Sequence, residues 1–398
     1  MTAILIIHFG SPRNRSEVAP FLNAIFSDPA NWPFENKFIQ KILAKPIALA
    51  ARRSSIRKYE TVGFNQSSAS QIEKLRERLS EIITPHPNPL PQGERGFFAT
   101  PPPRGGRVRE GVTTVFAAAR YGLPTIESAF EQIDAQGHEQ VIIIPFYPHA
   151  SIEMYDSLFK ECHRLRQLYY RNFRFAWAGV FYDHPLFISA WTDSIETALR
   201  TLLRNPPEIA SSSFDKLRTP RNDTHLLFSA HAHPLTHPSP LGGEGKRKLF
   251  LPLEEKPALS NVEGVGMRGI SSYEQQVEYT AKSIWQSLGS KHPMSIAYQS
   301  RTRFGRWSSP SLEDEIHRLA KNGVSTCLIV PISFLFDNVE TLIDIDRVAI
   351  PLGTKAGVHE VRRAKPPGDS QKIVEMVVDI MKIASPYKGD VLRCHPEA

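Results

Sequence analysis

"QVIIIPFYP", residues 140–148, is an apolar run rich in β-branched side chains, closed by Pro145 and Pro148. A surface helix would break such a run with a polar face, and a half-exposed strand would alternate. This stretch does neither, so it reads as a strand buried on both faces, as in parallel sheets sandwiched between helices. Working outward, "TTVFAAA" (113–119) reads the same way, and "AILIIHF" (3–9) opens the chain as a strand. Helical patterns stand between them. In "SEVAPFLNAIF" (16–26) Ser16 is the expected N-cap, with Val18, Phe21, Leu22, Ile25 and Phe26 on one face. In "SQIEKLRERLSEII" (70–83), Ile72, Leu75, Leu79 and Ile82 fall in register. The theme continues with "FRFAWAGV" (173–180), "HLLFSA" (225–230), "SIAYQ" (295–299) and "TCLIVPIS" (326–333), plus the helical "SYEQQVEYTAKSIWQSL" (272–288). The alternation predicts an α/β chain of two similar doubly wound parallel-sheet domains with a cleft between them. The predicted boundaries are 1–165 and 166–365, with a C-terminal helix near 370–384 packing back on the first domain.

Three stretches interrupt the pattern: 84–112, 211–223 and 236–269. Prolines at 85, 87, 89 and 91 forbid helix and central strand, and "HPNPLPQGERG" (86–96) is echoed by "HPSPLGGEG" (237–245). These segments read as insertions in tolerant loops, where extra chain costs little closure entropy. Residues 385–398 read as an appended tail.

The 398 residues are 41% hydrophobic and 22% charged, enough for one large or two mid-sized cores. The formal charge of +7 comes from scattered Lys and Arg without a basic stripe, so no nucleic-acid partner is expected. No apolar run reaches membrane-spanning length and no leader pattern opens the chain, so the expected location is the cytoplasm. Cys162, Cys327 and Cys394 are far apart with no CxxC, which predicts neither a disulfide framework nor a cysteine metal site. "HFGSPRN" (8–14) lacks both dinucleotide and phosphate-loop glycine patterns.

In open parallel sheets ligands bind beyond the carboxyl ends of the strands. Those ends carry His8 with Ser11, Arg120 with Tyr121, His149 with Ser151, His231, Gln299 with Ser300 and Arg301, then Ser333 leading to Asn338 and Glu340. A rim of histidine, arginine and tyrosine suits proton transfer and anion binding. His231 closes a buried strand and is a natural acid–base group if an acid from another strand end meets it. Glu340 is that candidate. A helix over "DNVETLIDID" (337–346) would bring Glu340 and Asp344, four apart, onto one face. Of the neighbouring histidines, His225 reads as structural, His233 as packing or facing the cleft, and His237 as part of an insertion.

Taken in order, these strings resemble the ferrochelatase family, which inserts ferrous iron into a porphyrin in heme biosynthesis. "LLFSAHAHP" (226–234) and "PISFLFDNVETLIDID" (331–346) carry the resemblance, supported by "HFGSPRNRSEVAPFLNAIFSD", "ARYGLPTIESAF", "IPFYPHAS", "YEQQVEYTAKSI" and "AYQSRTRFGRW". It implies His231 and Glu340 as catalytic residues, and His231, Glu340 and Asp344 as metal contacts. It also implies that Arg120 and Tyr121 line the porphyrin cleft, and the rim serines Ser11 and Ser151 are taken with them. Ferrous iron and porphyrin (protoporphyrin IX or coproporphyrin III) are then substrates. No permanently bound cofactor or iron–sulfur cluster is expected, and peripheral membrane contact is left open. The chain departs from the family pattern at His8, Asn65, His149 and Asn338. The alternatives are a cobalt chelatase acting on another tetrapyrrole, for which His8 and His149 speak, and a non-catalytic paralogue.

Overall fold

The computed structural model describes residues 2–31, 37–64, 68–83, 113–204, 224–233, 272–300 and 307–384. The predicted insertions and the tail lie outside these residues. The first half runs β1 (Thr2–His8), α1 (Val18–Ser27), α2 (Lys37–Val62), α3 (Ser68–Ile83), β2 (Thr114–Ala119), α4 (Ile126–Ala135), β3 (Gln140–Pro145), α5 (Ile152–Leu168) and β4 (Arg174–Trp177). Then come α6 (Pro185–Arg204), β5 (His225–His231), α7 (Tyr273–Ser287), β6 (Met294–Gln299), α8 (Leu312–Lys321), β7 (Thr326–Pro331), a π-helical segment (Glu340–Ala349), α9 (Ile350–Ala356), β8 (Glu360–Arg363) and α10 (Gln371–Ala384).

The strands form two four-stranded sheets, ordered β2-β1-β3-β4 and β6-β5-β7-β8, and every pairing is parallel. The apolar runs that predicted double burial are buried as read: Ile4, Leu5, Ile6 and Ile7 in β1, Val141 to Ile144 in β3, and Leu226 to Phe228 in β5. In each sheet the order of winding reverses between the parallel neighbours β1 and β3, then β5 and β7. That reversal opens a crevice at the strands' carboxyl ends.

Several sequence expectations are corrected. The boundary after Leu165 falls inside α5, and β4 pairs with β3 in the first sheet rather than opening the second domain. The reason is local: α5 is the crossover helix of a β3–α5–β4 unit, and such a unit returns its strand to the same sheet. Ser16 is not the cap of α1. Asn14 caps the short turn before it, accepting from the Ser16 and Glu17 amides, and Ser16 Oγ donates to Asn14 at 2.6 Å. Among the elements that the sequence reading passed over are α2 and β8. The helix α2 has no clean apolar face and carries Pro46 inside it, while β8 has only four residues.

One apolar core runs through both halves. Ile4, Ile72, Leu75 and Ile144 of the first half share it with Phe228, Val277 and Val330 of the second, joined by Trp191 of α6 and Val377 of α10. The helix α10 packs against α6 and α3. Polar ties cross the same boundary: the Ala150 amide donates to buried Gln276 Oε1 at 2.8 Å, and Gln71 Nε2 donates to the Asp337 carbonyl at 2.9 Å. At the first strand exits, Gly10 has φ +99°, and a Cβ built on it would lie 1.7 Å from the Tyr121 carbonyl oxygen. Only glycine lets β1 turn against the β2 exit here.

Candidate active site

The site is assembled where β5 and β7 part. His231 is the last residue of β5, and its backbone amide donates to Ser333 Oγ, just beyond β7, at 3.0 Å. The His231 Nδ1 lies 2.8 Å from the Ala232 carbonyl oxygen. A carbonyl only accepts, so Nδ1 carries a proton, and in the neutral ring Nε2 keeps its lone pair. That Nε2 faces Glu340 Oε2 at 3.6 Å, with the His231 side chain 45% and the Glu340 side chain 27% exposed. Nε2 is thus the ring nitrogen turned toward the carboxylate.

Glu340 opens the segment predicted as an α-helix. The segment is π-helical, with the wider i→i+5 spacing that recurs at functional sites. Asn338 caps it, its Oδ1 accepting from the amides of Glu340 at 2.9 Å and Thr341 at 3.1 Å. Glu340 and Asp344 still meet, because Ser300 Oγ lies 2.8 Å from Glu340 Oε2 and 3.2 Å from Asp344 Oδ2. Ser300 sits just past β6 with φ 64°, a strained conformation for a residue other than glycine. Asp344 is also held by Lys58 of α2 at 3.1 Å, an ion pair that closes the first half onto the second. Of the expected metal contacts, His231 and Glu340 face each other, and Asp344 is joined to Glu340 through Ser300. Among the described residues no three His, Cys, Asp or Glu side chains come together as a metal-holding group. Ser300 and Lys58 engage Asp344 instead.

Opposite this pair, α1, α2 and the β1 exit build an aromatic wall. Tyr59 stacks on Phe64 at 6.0 Å and meets Phe21 edge-on at 6.3 Å, and Phe9 packs edge-on against Tyr121 at 5.0 Å. Burial, then the negative charge of Glu340, raises the Tyr59 phenol above its ordinary range. The wall thus stands near enough to Glu340 to feel its charge.

The other expected contacts are all hydrogen-bonded within the protein. Tyr121 is only 2% exposed. Its hydroxyl donates to Asp28 Oδ2 at 2.8 Å and accepts from Asn31 Nδ2 at 2.8 Å. Burial and the Asp28 charge push that phenol up to about 12. Arg120 Nη2 pairs with the same Asp28 Oδ2 at 2.5 Å and its Nε donates to Ser157 at 2.8 Å, so its charge is already matched. Ser11 is buried, 3.4 Å from Ser68 Oγ, and Ser151 caps α5 by accepting from the Met154 amide at 3.2 Å.

His8 and His149 are buried and neutral. Burial lowers His8 to about 4, with Nδ1 accepting from the Gly10 amide at 3.2 Å. Burial lowers His149 to about 3. Its Nε2 lies 3.0 Å from Thr280 Oγ1, whose hydroxyl donates to the Tyr182 carbonyl at 2.7 Å. His225 is buried, 2.8 Å from Ser295 Oγ, a structural role. His233 stacks on Tyr273 at 5.6 Å. Asn65, Arg301 and His237 lie outside the described residues, as does Cys394. Cys162 and Cys327 are buried in separate cores.

The ferrochelatase family model matches residues 1–88 and 107–384. The chain belongs to the ferrochelatase family. Its members are metal chelatases, and the unmatched 89–106 falls within the first predicted insertion. Among curated relatives, the ferrochelatase of Aquifex aeolicus (strain VF5) is 27% identical over 386 residues, covering 95% of this chain and 98% of the relative. The ferrochelatase of Synechococcus sp. (strain RCC307) is 27% identical over 365 residues, covering 90% and 76%. Among solved structures, SirB from Bacillus subtilis with Fe3+ aligns with TM-score 0.50 at 11% identity, covering 96% of this chain and 95% of that one. At that identity the likeness speaks for the fold alone. Among the described residues no helix of this ferrochelatase-family chain is long and apolar enough to cross a membrane.

Proposed function

We propose that this chain inserts ferrous iron into a porphyrin, releasing the two pyrrole protons as the metal enters. The observation that carries the reading is the pairing of His231 Nε2, left free by the Nδ1 contact, with the Glu340 carboxylate at 3.6 Å. The neutral imidazole accepts a pyrrole proton, and Glu340 stabilises the imidazolium that forms. The aromatic wall supplies an apolar face for a flat macrocycle, whose bending exposes the nitrogen lone pairs at the expense of binding energy from its periphery. Oxygen and nitrogen donors hold Fe²⁺ loosely enough to let it leave for the ring.

The cobalt reading drew on His8 and His149, and both are buried and hydrogen-bonded away from the pair. The non-catalytic reading is opposed by the intact His231–Glu340 pairing. Peripheral membrane contact is proposed for α2, where Ile42, Leu43 and Leu49 are exposed beside exposed Lys45, Arg52 and Arg53. Sedimentation with anionic vesicles checks it, and recovery of all the protein in the supernatant would count against it. The activity itself is tested by anaerobic insertion of Fe²⁺ into protoporphyrin IX and coproporphyrin III in turn. Formation of metalloporphyrin with either supports the reading, and failure with both ends it.

A further inference from the structure

We propose that Arg363 is the positioning residue for Glu340, clamping the π-helical segment from behind so that its first carboxylate reaches His231. The inference rests on the iron-chelatase reading. Arg363 ends β8, and its side chain is only 7% exposed. Its guanidinium makes a two-pronged contact with Asp346, Nε to Oδ1 at 2.7 Å and Nη2 to Oδ2 at 2.9 Å. The third nitrogen, Nη1, donates to Asp337 Oδ1 at 2.7 Å. One rigid fork therefore grips the chain three residues before Glu340 and again two residues after Asp344.

Asp337 passes the restraint on. Its Oδ1 accepts from the fully buried Thr341 hydroxyl at 3.0 Å, and Thr341 Oγ1 in turn accepts from the Asn338 amide at 2.9 Å. The Asp337 carbonyl also accepts from Gln71 of α3, so the same residue ties the segment to the first half. A π-helix is rarely the preferred backbone state, and its persistence calls for outside restraints. Reverting part of it to α geometry would rotate Glu340 relative to Asp346. The fork permits one spacing between Asp337 and Asp346, and lysine, a point charge on a flexible stem, would not reproduce it.

Electrostatics points the same way. Asp337, Glu340, Asp344 and Asp346 crowd into ten residues. Arg363 matches two of them and Lys58 a third, leaving Glu340 as the carboxylate that faces His231.

The test compares the full-length wild type with R363M and R363K. Anaerobic iron insertion is measured at varied porphyrin, and amide exchange is followed across 337–349. The expected result for R363M is a fall in kcat of about 10–100-fold with porphyrin KM unchanged, the size that loss of a supporting contact produces. Exchange across 337–349 should rise while β5 and β7 stay protected, and R363K should fall between the two. If R363M does not fold, D346N removes one arm of the fork and should give a smaller version of the same split. Unchanged turnover, a rise in KM matching the loss in kcat, or unaltered exchange across 337–349 would overturn the clamp. A wild type that inserts no iron, beside an R363M whose 337–349 loosens selectively, would sink the activity reading and leave the clamp standing.

Discussion

His231 is distinguished less by being a histidine than by what its two ring nitrogens meet. Removing the base by His231→Ala should cost on the order of 10²–10⁴-fold in turnover, the usual worth of a placed general base. Porphyrin affinity, measured separately by fluorescence quenching, should be nearly unchanged. Glu340→Gln keeps the shape but cannot neutralise an imidazolium, so a comparable loss is expected. Near wild-type turnover in either variant would remove the residue from the mechanism. This pair was legible because His231 closes one strong strand pattern and Glu340 follows another after a short loop. Tyr121 and Arg120 also stood at a strand end, yet nothing local shows that Asp28, more than ninety residues upstream, would claim both. His149 makes a separate prediction. Its folded pKa, near 3, lies below the unfolded value near 6.5, so the unfolded chain binds its proton first. The stability it supports is complete above about 6.5 and is lost as pH falls from there toward 3. His149→Gln keeps a donor for Thr280 and removes the titrating ring, so thermal melts at pH 7 and pH 5 should lie closer together than in the wild type. An unchanged difference would show that the ring does not carry this acid sensitivity.

Among the elements, the apolar strands were read in place, with ends overrun by up to three residues, because burial on both faces leaves no polar position to blur most of these runs. The π-helical segment was read as an α-helix because its side-chain pattern suits either, and the choice between them is made by remote partners, Arg363 and Ser300. The strand β8 escaped because four residues carry too little pattern, and α2 because its charges interrupt any stripe. The turn after β1 offers the clearest element-level test. Gly10→Ala places a methyl group on the Tyr121 carbonyl and forces φ +99° on an L side chain. Strain of this kind costs on the order of 1–3 kcal/mol before the clash is counted. Denaturant unfolding should show a loss at or above that size, and a loss below about 0.5 kcal/mol, the scatter of ordinary surface changes, would mean the turn can rearrange.

At the scale of the molecule, the shared core predicts that the halves unfold together. Trp191→Ala empties a fully buried site in the cluster that joins them and should cost about 3–5 kcal/mol. Far-UV dichroism and tryptophan fluorescence should report one coincident transition in the wild type. Two separated transitions would show that the core does not couple the sheets. The strand orders carry a consequence of their own. Both sheets follow one plan, and β1 and β5 occupy the same place in it, each ending on a histidine. The chain therefore presents an imidazole at the same address in two copies of one layout. After β1, the amide of Gly10 donates to His8 Nδ1, which puts the ring proton on Nε2. After β5, the carbonyl of Ala232 accepts from His231 Nδ1, and Nε2 turns to Glu340. The two rings turn Nδ1 to opposite partners, so one peptide group, presenting its N–H in the first copy and its C=O in the second, sets a buried ring apart from one that faces a carboxylate.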